Sequence, residues 1–568
     1  MKLSSFFVEN FKCIGREVHI KIDDIIILIG QNNVGKSTIL DAYEKFAALG
    51  KEKVLDISHF HNEDVSKPVI MTGVFTDITV EDETAIGKKW KHNDPVYGEC
   101  IKFRWVWNAP GESAKKEAFD PTKGQGEFVA GGLGGFDSII KSRIPKPLRI
   151  KPDDSVLKTQ ELIIEILKSN VKEYLSNGPD SKADVIAKIE SLTSALVESS
   201  KAEFDRLLGR ITDNIESIFP GVIMELVPQS KDPIDEKIIA SASYLKVRNP
   251  TSRSTMLELQ GTGLKRSLLW SALSVLSQEG KSKKGDVVKE CNILLIDEPE
   301  AFLHPPTIRG AREALYTFAA NNPGWQVMAT THSPVFIDLS KDHTTIIRVD
   351  KDSQNKYIST NDIGFDKDEK VNLKIVRACN PMVNEFFFYN KIVLVEGPTE
   401  KIVLNHLQDT LGIEMHVIDC LGKGNIPMFV KILNQFDVPY VVIHDSDSPK
   451  IRRKGKYVNN GMWTINTLIR NEVAKSKKGR IFTQVPHFEG EFFGETLTSG
   501  KVSNVLEVLQ NVTAEEYTRL ISVYSRILND AEESLFTGTL ESFMAKINAY
   551  TADKTALTDP ELWGLSGL

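Results

Sequence analysis

Two pairs of carboxylates follow short apolar runs in the C-terminal half of the chain. Glu396 and Glu400 come directly after the run at residues 391–395, and Asp445 and Asp447 come after a second run. A Gly-Pro pair suited to a helix start places Glu400 about one turn beyond Glu396. Residues two apart on an extended segment point the same way. Parallel strands would bring all four acids into one crevice at their carboxyl ends.

Carboxylates crowded in this way repel one another unless a divalent cation neutralises them. Oxygen ligands of this type favour Mg²⁺ or Mn²⁺, and two such ions can clamp an in-line attack on a phosphodiester. Solvated loop acids are the ordinary explanation for a single Asp-x-Asp. Two acidic pairs at predicted strand ends, about fifty residues apart, favour the metal site.

A phosphate-binding loop lies near the N-terminus. The sequence Gly-Gln-Asn-Asn-Val-Gly-Lys-Ser follows a β-branched apolar run at 25–29 and precedes a helical pattern, the context this motif requires. Backbone amides at the helix start can wrap phosphates, Lys36 can reach the β- and γ-phosphates, and Ser37 can bind Mg²⁺. The predicted ATP-binding residues of the loop are Gly30, Gln31, Asn32, Asn33, Val34, Gly35, Lys36, Ser37 and Thr38.

The acidic partner that such a loop needs is present further along the chain. Another apolar run, at residues 292–296, ends in Asp297 and Glu298. Asp297 can complete the Mg²⁺ shell, and Glu298 can orient the attacking water. An apolar run ending in Asp-Glu is weak evidence alone, but it becomes strong when a phosphate loop accompanies it.

The composition fits a large globular protein. Hydrophobic residues make up 41% and charged residues 26% of 568 residues, which excludes a disordered, collagen-like or disulfide-scaffold chain and predicts three or four domains. We find no run long enough to span a membrane and no secretory signal, and five scattered cysteines indicate a reducing, cytoplasmic setting. The net charge of −7 leaves room only for local basic patches. The glycine-rich stretch 121–135 predicts a loop.

Two further motifs flank the acidic run in a telling order. Gly261, Thr262 and Gly263 precede it by about thirty residues, and His332 follows it in a Thr-Thr-His-Ser-Pro sequence. With the phosphate loop, they resemble the ABC-type ATPase heads of the SMC and RecF kind. The resemblance implies that the Gly-Thr-Gly signature contacts ATP bound to a partner protomer, although it lacks the usual leading Ser-Gly-Gly. It also implies that His332 lies near the γ-phosphate, whereas a lone histidine is more commonly structural.

The second half of the chain resembles a Toprim domain. The matching motifs are Val-Glu-Gly-Pro-Thr-Glu at 395–400, a glycine-lysine turn at 420–425, and Asp-Ser-Asp at 445–447. An ABC-type head followed by Toprim resembles the OLD (overcoming lysogenization defect) family of ATP-dependent nucleases. Relatives of this family include anti-phage nucleases and retron effectors.

This resemblance implies roles for individual residues. Glu396 would be the base-like glutamate at the metal, and Glu400, Asp445 and Asp447 would be metal ligands. Glu489 or Glu491 would complete a second metal site. A lysine late in the sequence is expected near the scissile phosphate. Lys501 is the predicted residue, and Lys546 and Lys554 are the alternatives. For each lysine alone, a solvated surface charge is the ordinary explanation.

Four segments follow from these motifs, in an α/β fold. Residues 1–154 and 218–385 form the two parts of the ABC-type ATPase head, and residues 388–568 form the Toprim domain with a helical tail. Residues 155–217 have helical periodicity and are predicted to be an inserted arm or dimerisation element, with an ordinary helical subdomain as the open alternative.

A run of basic residues begins shortly after Asp447. At that position it could grip DNA phosphates, while a solvated loop is the competing explanation. No helix-turn-helix or zinc-finger pattern suggests base-specific contacts. The predicted DNA-binding residues are Lys450, Arg452, Arg453, Lys454 and Lys456.

Together these features predict an ATP- and metal-dependent DNA endonuclease, gated by its ATPase and acting in anti-phage defence. It should bind one Mg²⁺ or Mn²⁺ with ATP and two more at the Toprim site. Because ATP would lie between two heads, we expect a homodimer or a larger oligomer. An operon-encoded partner is also expected, such as a retron reverse transcriptase with its DNA–RNA product, or a helicase. The alternative is a nucleotide-gated DNA-binding or signalling ATPase with an inactive Toprim domain; a topoisomerase or primase ranks lower.

Overall fold

The fold is taken from a computed structural model that contains two compact units. One comprises Met1–Asp338 with His343–Asn355, and the other comprises Leu339–Asp342 with Lys356–Leu568. The structure describes residues 1–48, 54–124, 126–133, 137–151, 205–216, 221–228, 243–248, 254–261, 263–265, 267–268, 271, 292–301, 303–322, 324–350, 355–379, 383–493, 501–511, 515–529, 537–553, 559 and 561–563.

Strands dominate the first unit. They are β1 (Lys2–Glu9), β2 (Val18–Lys21), β3 (Ile25–Ile29), β4 (Val69–Thr76), β5 (His92–Asp94), β6 (Gly98–Trp107), β7 (Lys115–Asp120), β8 (Glu127–Ala130), β9 (Lys146–Ile150), β10 (Ile223–Pro228), β11 (Ser243–Arg248), β12 (Thr255–Met256), β13 (Asn292–Asp297), β14 (Trp325–Thr330) and β15 (Thr344–Arg348). The named helices are α1 (Lys36–Ala47), α2 (Val80–Ile86), α3 (Asp137–Lys141) and α4 (Pro305–Asn321).

A parallel sheet in the order β15-β3-β14-β13-β9 supports the phosphate loop. All five residues of β3 are buried, as are residues 293–297 of β13. Strands covered on both faces are continuously apolar, which explains why the sequence predicted these two correctly. Their parallel direction brings the ends of β3 and β13, and therefore the phosphate loop and Asp297, to one edge.

An antiparallel sheet in the order β2-β1-β4-β6-β7-β8 shares a core with that parallel sheet. Phe46 of α1 lies at the centre of this core, with ring centroids 5.4 Å from Phe6 and 5.0 Å from Phe103. Gly73 permits the close packing, because an added Cβ would lie 2.9 Å from the Phe46 ring. The core fixes α1, whose first residue follows the phosphate loop.

Two sequence predictions for this unit have different outcomes. The expected loop at 121–135 is wrong for Glu127–Ala130, which form β8, because their backbone groups pair with β7. Most of the predicted insertion at 155–217 lies outside the described residues, of which only 205–216 fall in that range and are helical.

The second unit begins with β16. Its strands are β16 (Lys356–Ser359), β17 (Ile392–Val395), β18 (His416–Asp419), β19 (Tyr440–Asp445), β20 (Lys450–Arg453), β21 (Lys456–Asn459) and β22 (Gly479–Gln484). Its helices are α5 (Thr360–Ile363), α6 (Lys367–Cys379), α7 (Pro398–Leu411), α8 (Ile426–Phe436), α9 (Gly461–Val473), α10 (Phe488–Phe492), α11 (Lys501–Gln510), α12 (Glu515–Leu528) and α13 (Leu540–Asp553).

The centre of this unit is a parallel sheet in the order β18-β17-β19-β22. The C-terminal helices α11 and α12 contribute Val505, Leu509, Leu520 and Tyr524 to the core that covers one face of the sheet. The tail is therefore part of the domain. Among the described helices, none combines the length and apolar character needed to cross a bilayer.

Candidate functional site

The phosphate loop joins β3 to α1 in a conformation that requires glycine at two points. Gly30 has φ 142°, and an added Cβ would lie 2.6 Å from the carbonyl oxygen of Val349. Gly35, with φ 107°, caps the N-terminus of α1. Free backbone amides at a helix start bind anions. The loop thus has the conformation expected of a phosphate cradle.

Lys36 lies against this loop. Its Nζ donates to the carbonyl oxygens of Gly30, at 3.0 Å, and Gln31, at 2.7 Å. Burial lowers the pKa of Lys36 to about 8, and the nearby carboxylates Glu298 and Asp297 oppose that shift. The amine is thus placed among groups of opposite charge at the base of the loop.

Ser37 and Asp297 meet although 260 residues separate them. The Ser37 hydroxyl donates to Asp297 Oδ1 at 2.8 Å, and Thr330 Oγ1 donates to the same oxygen at 3.1 Å. A hydroxyl and a carboxylate at hydrogen-bond distance are the oxygen ligands that hold Mg²⁺ in P-loop enzymes. The donor set therefore fits the predicted ion.

Arg149 is a member of this site that the sequence did not reveal. It is the fourth residue of β9, and its buried guanidinium forms an ion pair with Asp297. The same group lies 3.3 Å from Asp41 Oδ1 on α1. No local motif marks an arginine whose partners lie more than one hundred positions away in either direction.

Glu298 and His332 face each other at the ends of β13 and β14. His332 Nε2 lies 3.9 Å from Glu298 Oε1. Burial, followed by the charge of Lys36, lowers the pKa of His332. The Glu298 backbone has φ 43°, a left-handed conformation that costs a non-glycine residue about 1–3 kcal/mol and is often retained at functional sites. The structure thus brings Glu298 and His332 together, while the position of His332 near a γ-phosphate stays a prediction.

Glu300 is a second residue that sequence reasoning missed. Its Oε1 accepts hydrogen bonds from Thr331 Oγ1 at 2.7 Å and from the His332 backbone N–H at 2.8 Å. Burial raises the pKa of Glu300. The Asp-Glu-Pro-Glu sequence could have indicated it, because Glu300 follows the two predicted acids by only two residues. Its contacts hold the segment that carries His332.

The signature residues are described only in part. Gly261 is exposed and its carbonyl oxygen accepts from the Lys265 backbone N–H at 3.3 Å, which starts a helical turn that includes Gly263. Thr262 lies outside the described residues.

A cavity of about 420 Å³ borders the phosphate loop. Cys13 lines the cavity and contacts the phosphate loop, because its Sγ lies 3.2 Å from Thr38 Oγ1 and would be 2.9 Å from a Cβ added at Gly35. The cavity is lined by Asn10, Cys13, Gly15, Arg16, His61, Asn62, Asp64 and Lys67.

In the second unit, the four predicted acids lie at the carboxyl ends of β17 and β19. Glu396 directly follows β17, and Glu400 lies in the first turn of α7. Asp445 ends β19, and its backbone N–H donates to Glu396 Oε1 at 2.8 Å. Asp447 follows two residues later with φ 57°. The structure brings the two acidic pairs into one crevice, as the strand pattern predicted.

The electrostatics of this crevice suit cations. Burial raises the pKa of Asp445 well above its ordinary value, and the charges of Glu396, Glu400 and Asp447 raise it further. Glu400 is only 4% exposed. Buried carboxylates that destabilise one another's ionised form are stabilised when a divalent ion binds between them.

Lys423 supplies a positive charge inside the crevice. Its Nζ donates to Asp447 Oδ2 at 2.6 Å and to the Asp445 carbonyl oxygen at 2.5 Å, and the residue is 2% exposed. The glycine-lysine turn was visible in the sequence, but no role was predicted for this lysine. Its contacts fix the Asp-Ser-Asp loop.

A third acidic segment adjoins the same crevice. Helix α10 begins next to Asp445, because the Phe488 backbone N–H donates to Asp445 Oδ1 at 2.9 Å. Glu489 is 2% exposed and lies 3.1 Å from His487 Nδ1. Glu491 Oε2 accepts from the Val485 backbone N–H at 2.9 Å. Both glutamates predicted for the second metal therefore belong to a helix tied to the first acidic cluster.

Of the three late lysines, the structure describes the environment of Lys546. Its Nζ lies 3.6 Å from Glu491 Oε1 and donates to the Thr483 carbonyl oxygen, and burial lowers its pKa. Lys501 is the first residue of α11, but its side chain lies outside the described part, as does all of Lys554.

The basic run forms a hairpin made of β20 and β21. Arg452, Arg453, Lys454 and Lys456 are exposed, and Lys450 is half-buried. The Arg452 guanidinium lies 5.9 Å from the Tyr457 ring centroid. The hairpin begins three residues after Asp447, so the basic run follows the second acidic pair closely along the chain.

Comparison with known families decides the classification. Residues 1–130 and 133–337 match the family described as AAA ATPase domain. Residues 387–447 match the family described as overcoming lysogenization defect protein-like, TOPRIM domain. The chain belongs to the AAA ATPase domain family, with an OLD-like Toprim domain after its ATPase domain. The predicted OLD-like Toprim domain is confirmed, and so is the α/β fold class of an ATPase domain followed by a Toprim domain and C-terminal helices.

Curated relatives cover most of the chain. The Old nuclease of Escherichia phage P2 is 24% identical over 479 residues, 79% of this chain and 77% of that protein. The OLD nuclease of Thermus scotoductus is 26% identical over 554 residues, which are 89% of this chain and 94% of that protein. Endonuclease GajA of Bacillus cereus is 23% identical over 553 residues, which are 88% of this chain and 87% of that protein.

Among solved structures, the Smc head bound to the C-winged helix domain of ScpA matches 64% of this chain and 99% of its own, with 13% identity and a TM-score of 0.41.

Proposed function

We propose that this chain is an ATP-dependent, divalent-metal-dependent DNA endonuclease whose ATPase domain gates cleavage. The family matches confirm the predicted class of ATPase-linked nuclease. The observation that carries the metal-dependent chemistry is the acidic crevice, where carboxylates from three segments meet and the pKa of Asp445 is raised by burial and by Glu396 and Glu400. Such a site is suited to bound cations and to a phosphodiester.

Two Mg²⁺ or Mn²⁺ ions are proposed for the crevice. Glu396, Glu400, Asp445 and Asp447 would hold one, and Glu489 or Glu491 would complete the second site. When bound, the ions polarise the phosphodiester and the attacking water. Glu396 can accept the proton from that water, because hydrogen bonding from the Asp445 backbone N–H fixes its carboxylate.

For the late lysine, we propose Lys546. Its Nζ is held 3.6 Å from Glu491 and the residue belongs to α13, which the sequence assigned only to a helical tail. A cation at that position can stabilise charge that develops on the scissile phosphate. Lys501 remains the competing assignment.

In the ATPase domain, Lys36 would contact the β- and γ-phosphates, while Ser37 and Asp297 would hold Mg²⁺. Glu298 would orient the attacking water and His332 would approach the γ-phosphate. The Gly261–Gly263 signature would contact ATP on a partner protomer, so that the active form is at least a homodimer. ATP binding or turnover would then control access of DNA to the acidic crevice.

DNA is the proposed substrate, and the β20–β21 hairpin is the proposed phosphate-binding element. Its exposed arginines and lysines follow Asp447 closely along the chain, and their contacts with the phosphate backbone would position a duplex without reading its sequence. Defence against phage is the proposed role, with an operon-encoded partner as the trigger.

The test is cleavage of supercoiled plasmid in Mg²⁺ or Mn²⁺, with and without ATP. We expect cutting by the wild type and loss of at least a hundredfold in rate for Asp445→Asn and Glu396→Gln, because each removes a charged oxygen from the metal site. Asp437→Asn is the matched control, since this exposed acid precedes β19 at the end of the sheet away from the crevice. Absence of cutting alongside normal ATPase activity would identify instead a DNA-binding ATPase with an inactive Toprim domain.

A further inference from the structure

Tyr524 reaches the acidic crevice from the C-terminal tail. It belongs to α12 and is fully buried, with its ring centroid 5.5 Å from that of Phe492. Its phenol oxygen accepts a hydrogen bond from Gln484 Nε2 at 2.6 Å. Gln484 ends β22 directly beside Asp445 in the parallel register. The phenol therefore lies under the strand ends that carry the acids.

The surroundings of this phenol are negatively charged. Burial raises the pKa of Tyr524 well above its ordinary value, and Glu400, Asp445 and Glu491 raise it further. Tyr524 therefore keeps its proton at any working pH. Because the Gln484 amide donates to the phenol oxygen, the phenol O–H remains able to donate to a carboxylate.

Gln484 adds a second observation that points to a ligand. The residue is fully buried, and its Oε1 has no hydrogen-bond partner among the residues that the structure describes. A buried carbonyl oxygen without a partner is costly, and in native proteins it usually accepts from an ordered water or from water on an ion. An acceptor of this kind next to Asp445 suits a hydrated cation.

We propose that Tyr524 and Gln484 form a hydrogen-bonded pair that positions the metal-binding carboxylates of the nuclease site. The phenol O–H lies within the field of Glu400, Asp445 and Glu491 and would donate to this cluster once an ion is bound. Gln484 holds the phenol in place, and its own oxygen would accept from the hydration shell of the ion. Tyr524 is thus a positioning residue that never touches the phosphodiester. This inference rests on the proposed metal-dependent nuclease function.

Such a role has a characteristic consequence. Outer partners of metal ligands set metal affinity, and their loss costs about 10–100-fold in affinity or activity. Removal of the Tyr524 hydroxyl should therefore weaken metal binding more than it slows the chemical step. A purely structural tyrosine would instead lower stability and leave the metal dependence unchanged.

The experiment compares Tyr524→Phe with Tyr440→Phe in the full chain. Tyr440 is equally buried in the same domain, but its hydroxyl donates to Asn434 at 2.6 Å, near the opposite ends of the strands. Binding of Mn²⁺ alone, without nucleotide, is followed by electron paramagnetic resonance. Asp445→Asn identifies the part of the signal that belongs to the acidic crevice.

We expect Tyr524→Phe to raise the Mn²⁺ concentration for half-saturation about tenfold, with the ATPase rate unchanged. Its loss of thermal stability should be no larger than that of Tyr440→Phe, because each variant leaves the hydrogen-bond partner of a buried hydroxyl unpaired. Tyr440→Phe should bind Mn²⁺ as the wild type does. Cleavage by Tyr524→Phe should return to within about twofold of the wild-type rate at saturating Mn²⁺. Gln484→Met should shift half-saturation in the same direction, and the double variant should add little, because the two side chains act as one unit.

Wild-type Mn²⁺ affinity in both Tyr524→Phe and Gln484→Met would overturn the proposal. So would an equal shift in Tyr440→Phe. The binding measurement separates this proposal from the proposed function. Mn²⁺ binding that depends on Asp445, in a chain that cuts no DNA, would refute the nuclease function and still test the role of Tyr524.

Discussion

Among the described residues, each acidic site contains a buried cation to which the sequence analysis assigned no role. Arg149 pairs with Asp297 in the ATPase domain, and Lys423 pairs with Asp447 in the Toprim domain. Removing one partner of a buried ion pair is strongly destabilising, so we expect each cation to contribute to the stability of the acidic site that it contacts. Their positions also set the orientation of the oxygens that would bind Mg²⁺.

The Arg149 ion pair gives a prediction about stability. Arg149→Ala should destabilise the ATPase unit by about 3–5 kcal/mol, because it leaves the buried Asp297 carboxylate uncompensated. Lys12→Ala is the matched control, since Lys12 also pairs with Asp41 but is partly exposed; we expect it to cost less than about 1 kcal/mol. Calorimetric unfolding with and without ATP measures both. Equal losses for the two variants would contradict the assigned role of Arg149.

His416 gives a prediction about pH. Burial, followed by the charge of Lys401, lowers its pKa from 6.5 to about 4. Because the folded state resists protonation, the contribution of His416 to stability is present above pH 6.5 and is lost as the pH falls toward 4. Between pH 7 and pH 5 this residue should cost the wild type about 2 kcal/mol.

His416→Gln removes that titration. Urea unfolding at pH 7 and pH 5 should show a smaller loss of stability for the variant than for the wild type. Parallel losses in the two proteins would show that His416 does not control the acid sensitivity of the Toprim domain.

At the scale of elements, the sequence predicted strands that are buried on both faces and missed contacts made over long separations. Ile25–Ile29 is apolar throughout, and β19 is apolar from Tyr440 to Ile443, so the sequence predicted both strands and the polar residues that end or follow them. Glu127–Ala130 were obscured by neighbouring glycines and form a strand only because β7 pairs with them. Lys546 meets Glu491 through packing of α13, which no local pattern encodes.

The β20–β21 hairpin gives a prediction about DNA binding. Arg453→Ala with Lys454→Ala should weaken binding uniformly across sequences and reduce the slope of log affinity against log salt by about 2, since each lost phosphate contact removes about one released counterion. Lys475→Ala with Lys477→Ala is the matched control, because both residues are exposed in the same domain, away from the hairpin. Fluorescence anisotropy in a salt series measures the slopes, and the same slope for both double variants would exclude the hairpin.

At the scale of the whole molecule, the proposed ATP site and the proposed nuclease site lie in different units. All the described ATP-site residues lie in the first unit, and the acidic crevice lies in the second. Coupling between the two proposed sites would need a change that ATP imposes, either on the assembly or within one chain. A signature that contacts ATP on a second protomer would provide one, because binding energy at the ATP site would then favour dimeric over monomeric chains.

This arrangement predicts ATP-dependent assembly. Glu298→Gln should bind ATP but not orient the attacking water, so the ATP-bound state should accumulate as a dimer or larger oligomer. Lys36→Ala is the control, because loss of the lysine removes the cation that the phosphates need. Sedimentation velocity with Mg²⁺ and ATP should show a heavier species for Glu298→Gln than for Lys36→Ala, and no difference without ATP. If ATP leaves the sedimentation of Glu298→Gln unchanged while the variant still binds the nucleotide, the signature does not act across a dimer interface, and control of the nuclease must operate within one chain.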